Sequence, residues 1–147
     1  MVRLKHRYVM GQVLADPTSS STHVEITSRD IQAALNEMIQ SLYGDVGTGS
    51  FGSNTSVKFY EPSFSIYVIR TSREHLNQVQ FALTCMNSVK KYANLVLRTI
   101  EVAGSARTCK VKLRDVLWRC VNLLLSSESE KDELRHNLND QIERLEI

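Results

Sequence analysis

The sequence predicts an α+β fold: strands and helices in the order β-α-β-β-α-β, then an added C-terminal helix and an acidic helical tail. Three observations predict it. Four segments of strand length are rich in β-branched and aromatic residues. Between and after them, apolar residues recur at three- and four-residue steps, the helical period. Two Thr-Ser-Arg-acid boxes, at residues 27–30 and 71–74, stand where the first two helical patterns begin.

Arg3 to Leu14 reads as the first strand, rich in Tyr and Val, and Asp16-Pro17 signals a turn after it. Ser19 to Ser21 continue a short polar loop. In the first helix Ile31, Leu35, Met38, Ile39 and Leu42 form the apolar stripe. Thr27 and Asp30 cap its start, because hydroxyl and carboxylate satisfy N–H groups that the first turn leaves unpaired. Gly44 is placed to end it, since glycine adopts positive φ cheaply. Gly44 to Asn54 is expected to be a Gly/Ser-rich loop. Val57-Lys58-Phe59-Tyr60 and Phe64 to Arg70 form the next two strands around a Pro62-Ser63 turn. Alternation puts Ile66 and Val68 on one face of the returning strand and Tyr67 and Ile69 on the other.

Thr71-Ser72-Arg73-Glu74 is expected to cap the second helix, whose stripe is Leu76, Val79, Leu83 and Met86. Asn94 to Val102 is the fourth strand. This order is the split βαβ, ferredoxin-like or RRM-like arrangement, an antiparallel sheet with helices on one face. A third helix begins near Gly104-Ser105, with Cys109, Leu113, Val116, Leu117, Cys120 and Leu124 as its buried stripe. Arg107, Lys110 and Arg114 share a different, solvent-facing side. From Ser127, Leu134, Leu138, Ile142 and Leu145 mark a short amphipathic helix that must dock to be stable. The expected division is one domain over residues 1–125 and an acidic tail over 126–147.

Composition narrows the function. The 147 residues are 42% hydrophobic, enough for a core. No apolar run approaches the ~20 residues needed to span a bilayer. Arg3, Lys5 and Arg7 interrupt any signal-peptide segment, so the chain is expected to stay in the cytosol or nucleus. Cys85, Cys109 and Cys120 are odd in number and irregularly spaced, which suits reduced core residues rather than disulfides or a CxxC metal pair. His6, His23, His75 and His136 match no zinc spacing, and no metal site is expected. Charge is uneven: residues 1–125 carry 15 Lys/Arg against 9 Asp/Glu, and residues 126–147 carry 3 against 7. A basic body with an acidic tail points to an anionic partner for the body, although a solvated surface explains the charge equally well.

Gly47-Thr48-Gly49-Ser50-Phe51-Gly52 spells GxGxxG, but the dinucleotide-binding version needs a strand before it and a helix after it. Here a helix precedes and a strand follows, so a flexible connection is the plainer reading, and contact of its bare backbone with RNA phosphates is a third. No GxSxG, no placed carboxylate pair and no patterned Cys/His couple suggests catalysis. Arg3, Lys5 and Arg7 alternate, so a strand lines them on one face. Such a row repels itself, and a polyanion lying across it is the simplest explanation; a solvated edge is the alternative. Arg70 and Arg73, and the Arg107/Lys110/Arg114 face, add phosphate-contact candidates. The strand Ser63-Phe64-Ser65-Ile66-Tyr67-Val68-Ile69-Arg70 lacks the glycine and most aromatics of the RNP1 motif. Base stacking of the ordinary RRM kind is therefore not expected, and backbone or shape recognition of structured RNA fits the basic residues better.

Met1-Val2-Arg3-Leu4-Lys5-His6-Arg7-Tyr8 resembles the N-terminus of the Pop-five family of ribonuclease P protein subunits, which begins Arg-Phe/Leu-Lys-x-Arg-Tyr. The loop Gly44 to Gly52, the segment Ile69-Arg70-Thr71-Ser72-Arg73-Glu74, and Val102-Ala103-Gly104-Ser105-Ala106-Arg107-Thr108-Cys109 also resemble that family, in order across residues 1–120. The resemblance implies an RRM-like protein that supports a catalytic RNA and cuts nothing itself. It implies a role in ribonuclease P, which removes 5′ leaders from precursor tRNA, and in RNase MRP, which acts on ribosomal RNA precursors. Implied partners are the catalytic RNA, a TIM-barrel-like protein subunit and other subunits of the particle, with precursor tRNA nearby and no membrane. The protein itself then needs no cofactor, since magnesium ions belong to the RNA, and the expected location is the nucleus and nucleolus. Carried over, Arg3, Lys5 and Arg7, with Tyr8 closing the motif, contact RNA. Gly104, Ser105, Arg107 and Thr108 make a helix-start contact. Two other readings stay open: a protein–protein scaffold of the same fold without RNA contact, and a small-molecule enzyme or regulatory module, which requires a concave pocket with convergent polar groups.

Overall fold

A computed structural model describes residues 4–16 and 25–147. Arg3, the Asp16-Pro17 turn at Pro17, and the Ser19–Ser21 loop lie outside the described residues. The chain forms β1 (His6–Ala15), α1 (Ser28–Gly47), β2 (Ser56–Glu61), β3 (Ile66–Ser72), α2 (Leu76–Cys85), β4 (Ser88–Val89), β5 (Tyr92–Ala93), β6 (Leu95–Ala103), α3 (Ala106–Leu124) and α4 (Glu128–Glu143). The main sheet has the order β2-β3-β1-β6 and is antiparallel throughout. Each helical crossover skips one strand, which defines the expected split βαβ topology. β4 and β5 make a small hairpin between α2 and β6 that the periodicity did not signal.

Both faces of the sheet are covered. Val9, Tyr67, Ile69 and Leu97 pack against Ile31, Leu35, Ile39, Val79 and Leu83 of α1 and α2. The opposite face presents Met10, Phe59, Ile66 and Val68, and α3 and α4 bury it through Cys109, Leu113, Leu117, Val121, Leu138 and Ile142. Helices on one face describe only α1 and α2, because the strands are apolar on both sides and each apolar face needs a cover. Burying a side chain such as Leu113 or Leu117 contributes about 1.5–3 kcal/mol. The acidic tail is thus held by the same cluster that seals the sheet. Within α3 the buried series steps by four, 109, 113, 117 and 121, along one packing ridge. Leu124, expected in that stripe, is instead exposed. No described helix is long and apolar enough to cross a membrane.

The first capping box forms as expected: the Asp30 N–H donates to Thr27 Oγ1 at 3.3 Å and the Thr27 N–H donates to Asp30 Oδ2 at 2.9 Å. That backbone donor from Thr27 holds the Asp30 carboxyl below its ordinary pKa. Thr27→Ala is expected to cost about 1 kcal/mol, read as a lowered urea midpoint at unchanged m-value.

Its copy at 71–74 does not cap a helix. Antiparallel pairing with Arg7 and His6 keeps Thr71 and Ser72 extended in β3. Thr71 Oγ1 lies 3.0 Å from Thr55 Oγ1, and Ser72 Oγ lies 2.9 Å from His75 Nδ1. A 3-10 turn at Arg73–His75 then leads into α2. The Gly44–Asn54 segment is also not an open loop. Gly44 breaks the helix with φ 63°, but helical backbone resumes to Gly47 and a π-helical turn spans Thr48–Gly52. Phe51 anchors it, buried with its ring stacked 4.9 Å from that of His75 and edge-on to Tyr43 at 5.4 Å.

Candidate nucleic-acid interface

Three segments distant in sequence meet at one end of the sheet: the start of β1, the end of β3, and the junction of β6 with α3. Antiparallel register brings them together. Tyr8 pairs with Arg70 on one side and with Ala103 on the other, and Arg7 pairs with Thr71. Just beyond the paired region the Arg73 N–H donates to the Lys5 carbonyl at 2.8 Å. Arg7 Nη1 donates to the carbonyl of His6 at 2.9 Å and reaches the carbonyl of Gly104 at 3.5 Å, tying β1 to the start of α3.

The chemistry of this end is cationic. Lys5, Arg73 and Arg107 are exposed, and Arg7 and Arg70 are partly so. None of these five forms an ion pair with a described carboxylate. The Nε of Arg70 is buried without a hydrogen-bond partner. Like charges without a carboxylate partner, at one end of the sheet, favour an anionic ligand there. The N-terminus of α3 opens into the same region. Ser105 Oγ accepts the Thr108 N–H at 3.2 Å and lies 2.9 Å from Thr108 Oγ1. That cap leaves the first amides of a 19-residue helix, Ala106 and Arg107, with the positive end of its dipole. A helix start flanked by arginines is suited to phosphate oxygens.

The remaining expected contacts fall elsewhere. Tyr8 is only 6% exposed and packs under α3, so its ring is part of the core. Lys110 and Arg114, expected to face solvent, are engaged by α4. Lys110 Nζ donates to the Glu143 carbonyl at 3.1 Å. Arg114 donates from Nε to Asn139 Oδ1 at 2.8 Å and from Nη2 to Glu143 Oε1 at 2.7 Å. Asn139 and Glu143 were missed in the sequence, although their four-residue spacing matches that of Lys110 and Arg114. A groove of ≈ 600 Å³ lies along this contact, lined by Arg107, Lys110, Val111, Arg114, Glu143 and Leu145 among others.

Stacking of bases on the sheet is obstructed, because α3 and α4 occupy the face that an RRM leaves open. The GxGxxG residues run from the last residue of α1 through the π-helical turn toward β2, with no strand before them and no helix starting after them, so no phosphate-cradling geometry forms. Among the described residues no three His, Cys, Asp or Glu groups gather to hold a metal. The cysteines are free, and burial pushes the Cys109 thiol up to about 11.

The model of the Rpp14/Pop5 family matches residues 7–114. A probable ribonuclease P/MRP protein subunit POP5 of Arabidopsis thaliana is 26% identical, over all of this chain and 98% of its own length. The ribonuclease P/MRP protein subunit POP5 of Schizosaccharomyces pombe is 26% identical over the full length of both. A probable counterpart in Dictyostelium discoideum is 31% identical over 75% of this chain and 63% of its own. A chain in the cryo-EM structure of yeast ribonuclease MRP shares the fold with a TM-score of 0.56 at 12% identity, over 96% of this chain and 94% of that one.

Proposed function

The chain belongs to the Rpp14/Pop5 family, and on that premise we propose that it is a non-catalytic, RNA-binding protein subunit of ribonuclease P and of RNase MRP. The observation that carries the reading is the convergence of Lys5, Arg7, Arg70, Arg73 and Arg107 with the start of α3. These groups neutralise phosphates of a folded RNA and position its active core. Catalysis and the magnesium ions reside in the RNA. In ribonuclease P the particle removes 5′ leaders from precursor tRNA, and in RNase MRP it processes ribosomal RNA precursors. Other subunits, a TIM-barrel-like protein among them, occupy surfaces away from the cationic end. The particle works in the nucleus and nucleolus.

The test is capture of the tagged chain from native extract, with the bound RNA sequenced and the eluate assayed on precursor tRNA. The expected result is one or two structured RNAs and leader cleavage that is lost when the RNA is digested. Recovery of protein partners with neither RNA nor cleavage would replace this reading with that of a scaffold.

A further inference from the structure

The acidic tail and the basic face of α3 meet in a specific contact. α3 and α4 run antiparallel, so Lys110 and Arg114, one turn apart, face Glu143 and Asn139, one turn apart. Leu138 and Ile142 are buried beneath, which fixes α4 in place and delivers Glu143 to the contact. Glu143 acts twice. Its carboxylate pairs with Arg114, and its carbonyl, at the negative end of the α4 dipole, accepts from Lys110. The row Arg107, Lys110, Arg114 is thereby divided: Arg107 has no ion pair among the described residues and lies beside the cationic sheet end, Lys110 is held by a backbone carbonyl, and Arg114 is paired with the Glu143 carboxylate.

We propose that Glu143 is a charge mask, a specificity-determining residue that confines RNA to the sheet end and the first turn of α3. This rests on the RNA-binding role proposed for the chain and deepens it. Unmasked, the three cations form a continuous track along the groove beside α3, and a track of evenly spaced charge binds any polyanion with little regard to its shape. Masked, they leave a compact site that only a suitably folded RNA fills well.

Glu143→Ala removes the carboxylate from an exposed helical position where alanine is favourable, so the fold persists. Binding of the full chain to fluorescein-labelled oligouridine is measured by anisotropy over a series of KCl concentrations. The expected result is an affinity higher by about 3- to 10-fold, with a salt slope steeper by ~0.7 for each additional phosphate neutralised. Glu130→Ala makes the same charge change on an exposed part of α4 and leaves both values unchanged. The rise in affinity shrinks in E143A/R114Q. If the parent chain binds and E143A shows the same affinity and slope, the mask is overturned and the RNA-binding role stands. If neither binds oligouridine or a structured RNA, both fall.

Discussion

Replacing Lys5, Arg7 and Arg73 together with glutamine is expected to lower affinity for structured RNA roughly 100-fold and to flatten its salt dependence. The three lie at one end of the sheet, with the Lys5 carbonyl bonded to the Arg73 N–H and Arg7 reaching Gly104. Glutamine keeps length and polarity but removes charge. At about 1 kcal/mol for each exposed pairing with a phosphate, the loss adds to ~3 kcal/mol, or about two orders of magnitude. The slope of log K against log salt falls by roughly 0.7–0.9 for each phosphate left without its cation, which separates a lost RNA interaction from misfolding. Thermal unfolding is expected to move little, since Lys5 and Arg73 are exposed and, among the described residues, the Arg7 guanidinium bonds backbone carbonyls. An unchanged slope would place the RNA elsewhere on the molecule.

Gly11→Ala is expected to give the largest loss of stability. A Cβ at this position would lie 2.5 Å from the Arg98 carbonyl of β6 and would overlap the phenol end of Tyr67, which is fully buried. The carbonyl belongs to the paired backbone and cannot swing aside as a surface side chain does. The clash sits beside the register shift between Met10 and Gly11, where β6 already carries one extra residue, Ile100. Overpacking of this kind costs about 1–3 kcal/mol, and a backbone obstruction puts Gly11 at the upper end. Urea denaturation reads the cost as a lowered midpoint. A change under about 0.5 kcal/mol would mean that the strands separate here without penalty.

The order of elements was legible because it depends on local periodicity. Ile31, Leu35 and Ile39, and the alternation of Ile66 to Ile69, are buried as their spacing implies. What misled was chemistry shared between structures. The residues Thr71-Ser72-Arg73-Glu74 repeat a helix cap, yet strand pairing across the sheet fixes the first two before any helix starts. The Gly/Ser-rich run after α1 looks like a loop until one long-range contact, Phe51 on His75, orders it. Of the site, the cationic residues were readable as types in the sequence, and the antiparallel register that gathers them follows from the βαββαβ order. The pairing of Lys110 and Arg114 with Glu143 was not readable, because it depends on how the helix after Ser127 docks, and that is decided by the apolar face it covers. Tyr8 shows the converse: a residue grouped with the basic motif by sequence belongs to the core.

In the proposed particle, RNA meets the end of the sheet and the start of α3, and neither sheet face. Ultraviolet crosslinking of the native particle, followed by mapping of RNA-linked peptides, tests this most directly. Crosslinks within residues 4–8, 70–75 and 104–108 are the predicted result. Crosslinks confined to α1 and α2, or to the exposed Leu14, Val96 and Ile100 on the sheet, would contradict it.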